Sequence, residues 1–92
     1  MIRFTLTDKG PAGDDVYSID WIKHIGSDTV TGTPTSQVTE GTIVIHNEDN
    51  PDNHTTRFWV RGGIAGEVAR ARIFQPTSAG RILEGEIVIG VR

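Results

Sequence analysis

Between Glu67 and Val91 the chain alternates apolar and polar side chains twice, on either side of a turn. Ala69, Ala71 and Ile73 alternate with Arg70 and Arg72. After Pro76-Thr77-Ser78-Ala79-Gly80, the residues Leu83, Ile87, Ile89 and Val91 fall on one parity, with Gly85 among them. A period of two sends one set of side chains to a dry face and the other to water, which is the signature of a half-buried strand. An earlier run, Thr56 to Arg61, leads into the pair through Gly62-Gly63. Together these runs predict a three-stranded antiparallel meander on which the rest of the chain packs. Gly85 within the apolar parity predicts a bulge or a close backbone approach.

The remaining chain reads the same way. Ile2, Phe4 and Leu6 alternate with Arg3 and Thr5. The segment from Asp8 to Asp15, with Gly10, Pro11 and Gly13, then breaks the pattern. Val16 to Ile22 is a second strand with Tyr17, Ile19 and Trp21 on one face, and Trp21 is the expected core aromatic. A helix over Ser18–Ile25 is rejected, because Gly26 ends it after about two turns and nothing caps it. Asp28-Thr29-Val30-Thr31 is a possible short strand, Gln37–Glu40 is ambiguous, and Thr42–His46 is a clear strand. Asn47 to Asn53 reads as a polar loop tip. About seven short strands with turn signals roughly every ten residues predict an all-β fold. The expected architecture is one immunoglobulin-like or fibronectin-like β-sandwich domain over residues 1–92, with a small barrel as the alternative.

Composition narrows function mainly by exclusion. A net charge of −3 and a pI of about 5.5 argue against a nucleic-acid binder, which carries a basic stripe. The absence of cysteine removes disulfides, thiol chemistry and thiolate zinc sites. No apolar run at the N-terminus has the length of a signal peptide or a membrane span, so a soluble product made in a cytoplasm is expected.

Three features invite a chemical reading. Glu48, Asp49, Asn50, Asp52 and Asn53, between His46 and His54, offer hard oxygen ligands of the kind Ca²⁺ takes. They lack the glycine and terminal glutamate of an EF-hand loop, and Asn, Asp and Pro also make ordinary turns. His24, His46 and His54 lie near strand ends without a metal or triad spacing, and no G-x-S-x-G turn is present. Asp20 is expected to hydrogen-bond to an adjacent strand or loop. Asn53-His54-Thr55 matches a glycosylation sequon, which without a secretion signal carries no weight. No catalytic residue, no metal ligand and no cofactor is predicted.

Protein contact is the better-founded expectation. If Phe58 and Val60 face inward, Trp59 faces outward between Arg57 and Arg61, and a tryptophan beside arginines is a common interface anchor. The opposite register would bury it. Arg70 and Arg72, on the outer parity of their strand, are the weaker candidates. Outward strand positions must carry polar groups in any case, and charges also blunt sheet edges.

Three pieces, taken in order, resemble a known family. They are Tyr17-Ser18-Ile19-Asp20-Trp21, then Trp59-Val60-Arg61-Gly62-Gly63-Ile64-Ala65-Gly66, then Thr77-Ser78-Ala79-Gly80-Arg81 with the strand that follows it to Arg92. From Tyr17 to Arg92 the chain resembles the small Ig-like structural proteins of tailed bacteriophages known as fibre-tail adaptors. Ala69 and Ala71 stand where bulkier apolar residues are expected in that family. The resemblance implies a virion component without catalysis, made in the host cytoplasm. It would join other phage structural proteins of the tail, fibre, neck or capsid in several copies, without nucleic acid or membrane. The alternatives are a capsid decoration or host-surface-binding adhesive domain and, less favoured, a calcium-dependent binding module using Asn47 to Asn53.

Overall fold

Seven strands and one helical turn follow one another in the computed structural model, which describes residues 2–92. They are β1 (Ile2–Thr5), β2 (Asp14–Asp20), α1 (Ile22–Ile25), β3 (Thr35–Glu40), β4 (Ile43–Asp52), β5 (Thr55–Gly62), β6 (Val68–Pro76) and β7 (Ile82–Gly90). A four-stranded sheet has the order β1-β7-β6-β3 and a three-stranded sheet the order β2-β5-β4. The chain is therefore an all-β, immunoglobulin-like sandwich. Strand β1 runs parallel to β7, in the sheet opposite β2, a parallel bridge joins Lys9 to Val91 beyond them, and the other strand pairs are antiparallel.

Period-two patterning explains the core. Tyr17 and Ile19, then Phe58 and Val60, point inward from one sheet. Ala69, Ala71 and Ile73, with Leu83, Ile87 and Ile89, point inward from the other. Ile2, Phe4 and Leu6 pack against the edge of this cluster. Trp21 is fully buried, and Phe4 meets it edge-on with ring centroids 5.4 Å apart. Gly85 is where the backbone comes close: an added Cβ would sit 2.9 Å from Trp21 Cη2 and 3.0 Å from Phe4 Cε2. The β6–β7 register runs through Gly85 without a shift, so close approach, not a bulge, is the reason for the glycine. Ala69 has a similar explanation. The β3–β4 turn lies over it so tightly that a Cβ on Gly41, at φ 94°, would come within 2.9 Å of the Ala69 methyl.

Four expectations are corrected. The three C-terminal runs do not form a meander: β6 and β7 are a hairpin, but β5 pairs with β2 and β4 in the other sheet. The Gly62-Gly63 turn crosses between sheets, with φ of 77° and 107° at the two glycines. The rejected helix exists as one turn, Ile22–Ile25, because Asp20 Oδ1 accepts from the Ile22 amide at 2.9 Å. The segment Asp28–Thr31 contributes only an isolated bridge from Val30 to Thr77. Asn47 to Asn53 is not a loop tip: β4 continues to Asp52 through two register shifts, with Asn47 at φ 54°.

Candidate functional site

The outer face of the β2-β5-β4 sheet carries the side chains that sequence parity sends outward. Trp59 is half-buried there, while its neighbours Phe58 and Val60 are fully buried on the other side. Its cross-strand partners are Val16 on β2 and His46 on β4. Arg61 lies between Asp14 and Val44 in the same register. Val16 and Val44 are 47% and 44% exposed, so the indole is flanked by apolar surface on two strands.

The arginines differ in how far their charge is spent. Arg61 is exposed and has no carboxylate within ion-pairing distance among the described residues. Arg57 is forked onto Asp49, with Nε 2.9 Å from Oδ1 and Nη2 2.5 Å from Oδ2. That hydrogen bonding holds the Asp49 carboxyl below the usual carboxylate range, and it clamps the bulged end of β4 to β5. Arg70 and Arg72 lie on the other sheet. Arg70 reaches Glu40 at 2.9 Å and Glu86 at 3.5 Å, and Arg3 joins the same Glu86 at 2.9 Å. Arg72 is 3.7 Å from Glu84, and its Nε is buried without a partner. Of the five predicted contact residues, the structure brings Trp59, Arg57 and Arg61 onto one face and places Arg70 and Arg72 on the opposite one.

The residues read for possible chemistry are dispersed. His46 Nε2 lies 2.9 Å from Asp14 Oδ1, reaching across β5. His54 Nδ1 lies 2.9 Å from Asp20 Oδ1 and 3.5 Å from Asp52 Oδ1. His24 is exposed on α1. The Ile22 amide, followed by His54, holds the Asp20 carboxyl low, as the expected local hydrogen bond. Burial pushes the Glu48 carboxyl up, while Ser36 Oγ donates to it at 3.4 Å. The acidic residues between His46 and His54 are thus engaged by separate partners. Among the described residues no group of three or more His, Cys, Asp or Glu side chains is placed to hold a metal ion, and no enclosed pocket is present. No helix among them is long and apolar enough to cross a membrane.

One element of this face was not anticipated. Val16 and Val44 are half-exposed beside Trp59, and their signal was available, since both occupy outward parity in otherwise polar positions. Pairing them required knowing that β5 lies between β2 and β4.

The comparisons with known proteins follow this geometry. No curated protein matches the chain in sequence. Among solved structures, an endo-fucoidan hydrolase of glycoside hydrolase family 107 superposes with a TM-score of 0.62 at 16% identity. The match covers 100% of this chain and 13% of that one, and it shows a shared fold. The family model described as "Podophage GP4 fiber-tail adaptor protein gp77" matches residues 9–90 of the 92. Because the match spans nearly the whole sandwich, the chain belongs to the podophage fibre-tail adaptor family.

Proposed function

We propose that this chain is a non-enzymatic structural adaptor of a phage particle, joining tail, fibre or neck components by protein–protein contact. Its family membership supports the role, and the outer face of the β2-β5-β4 sheet supplies the surface. The observation that carries the reading is Trp59, half-buried between Val16 and His46, with exposed Val44 diagonal to it and Arg61, unpaired among the described residues, two positions along the same strand. Interfaces concentrate binding energy in such aromatic and arginine anchors, once partner contact removes their water. Arg57 keeps its fork to Asp49 and borders the patch. Arg70 and Arg72 are rim contacts of the opposite face, with Arg72 the more available because its own pairing is loose.

On this reading the protein is a virion component, made in the host cytoplasm and present in several copies that repeat one contact by symmetry. It needs neither nucleic acid nor membrane for this work. The test is Trp59→Ala. The isolated variant should fold and melt within a few degrees of the parent, while its incorporation into particles falls by a factor of about thirty, the scale of a hot-spot loss. A variant that unfolds, or that assembles as well as the parent, removes Trp59 as the anchor.

A further inference from the structure

The sandwich has four sheet edges, and they are not alike. The edge at β1 is four residues long. Those at β3 and β4 are broken by register shifts, one in β3 and two in β4. Strand β2 is different: all seven residues, Asp14 to Asp20, pair with β5 in unbroken register. Its far side has no neighbour, because β1 lies beside β7 in the other sheet. Among the described residues, no hydrogen bond reaches the backbone of Asp14–Asp20 from outside β5. Every second peptide of β2 therefore turns its N–H and C=O to water along a straight run of about 23 Å. Natural sheets blunt such an edge with a bulge, a proline or charged side chains, and β2 has no bulge, no proline and no lysine, only the charge of its aspartates.

What β2 carries is acid: Asp14, Asp15 and Asp20, with no basic residue between them. This pattern chooses among occupants. A second copy of the chain, pairing antiparallel about Tyr17, would set Asp14 of each copy opposite Asp20 of the other. Like charges directly opposite each other oppose pairing. A strand bearing lysine or arginine at those positions turns the same contacts into cross-strand ion pairs. The acidic edge thus both rejects self-association and selects its partner.

We infer that β2 is a strand-addition site, which accepts an extended basic segment of another protein as a fourth strand of the β2-β5-β4 sheet. Main-chain hydrogen bonds along Asp14–Asp20 supply affinity, and selection comes from the Asp15 carboxylate together with the Oδ2 atoms of Asp14 and Asp20, whose Oδ1 atoms are held by His46 and by the Ile22 amide and His54. The added strand would lie beside Val16, next to the Trp59 surface, so the inference extends the proposed adaptor role while resting on a different part of the molecule.

The test uses the isolated full chain and two synthetic peptides of alternating valine and threonine, one with lysine and one with glutamate at the positions facing Asp14, Asp15 and Asp20. In ¹⁵N-labelled protein at low salt, the lysine peptide should shift β2 amide resonances and slow hydrogen exchange at alternate residues of Asp14–Asp20. The glutamate peptide should do neither. In Asp14→Lys/Asp15→Lys, verified as folded by circular dichroism, the preference should invert, with the lysine peptide weakened about tenfold. Absence of any β2 perturbation at millimolar lysine peptide overturns the inference. So does a perturbation without alternate-residue protection, which would mean charge attraction alone, and so does dimerisation of the free chain through β2. None of these outcomes touches the Trp59 reading, which the particle-incorporation measurement decides separately.

Discussion

Thr56 is the residue on which the buried polar groups converge. Its hydroxyl accepts from Trp21 Nε1 at 2.8 Å and donates to Gln75 Oε1 at 2.6 Å. Gln75 Nε2 in turn donates to the carbonyls of Thr31 at 3.2 Å and Pro76 at 2.9 Å. The two sheets are thus tied together inside the core through fully buried side chains, Thr56 from one and Gln75 from the other. Thr56→Val keeps the shape and strands an indole N–H and an amide oxygen, so urea unfolding should show a loss of about 2 kcal/mol with an unchanged m-value. Replacing Gln75 with leucine in the same chain should not restore the parent's stability: it removes the stranded acceptor but also the Nε2 donor to the Thr31 and Pro76 carbonyls. Parity alone aligns Thr56 with Phe58 and Val60, and Gln75 with Ile73. Which polar groups these inward positions would find depends on pairing across the sandwich and is not written in either strand.

At the level of elements, the segment from Gly26 to Pro34, where the sequence offers at most a short strand over Asp28–Thr31, is anchored by one carboxylate. Asp28 Oδ1 accepts from the Thr29 amide at 2.8 Å, the Ser78 hydroxyl at 3.0 Å and the Ala79 amide at 3.1 Å, while Oδ2 faces Arg81 Nε at 3.1 Å. The segment is thereby fastened to the β6–β7 turn. The Thr77 hydroxyl first, then the Thr29 amide, Arg81 and Ser78, hold the Asp28 carboxyl well below its ordinary range. The folded chain favours the ionised form. Its contribution is therefore whole above the unfolded carboxylate value, near pH 4, and is lost as pH falls through the lower folded value. Asp28→Asn should lower Tm at neutral pH. The gap between parent and variant should hold constant above about pH 5 and narrow as the pH is taken below about 4, as a series of thermal melts would show. A gap that is independent of pH down to pH 2 would mean the carboxylate is not the fastening. Adjacent strands of a hairpin were legible in sequence, as β6 and β7 show. The bulged course of β4 was not, since Asn47 to Asn53 has the composition of a turn, and only its pairing with Arg57 and Thr55 keeps it extended.

For the whole molecule, the spacing of the two sheets is set where Gly85 meets Trp21 and Phe4. A methyl group at Gly85 would press on β1 and on the opposite sheet at once, and both rings are held by packing that leaves them little room to move. Gly85→Ala should destabilise by about 1–3 kcal/mol, the usual cost of overfilling a packed core, read as a lower urea midpoint. The transition should stay a single step whether followed by tryptophan fluorescence or far-ultraviolet circular dichroism, because one continuous core joins both sheets. Local alternation by itself determined which side chains share a face, that the chain is built of strands, and that Trp59 faces away from Phe58 and Val60. These follow from the period of two, which each strand carries within its own residues. Tertiary structure alone decided that β5 leaves β6 for the other sheet, that Trp59 sits between Val16 and His46 with Val44 diagonal to it, and that β2 keeps an open edge. Such arrangements depend on which strands become neighbours, and that is fixed by the joint burial of both sheets, to which distant parts of the chain contribute together.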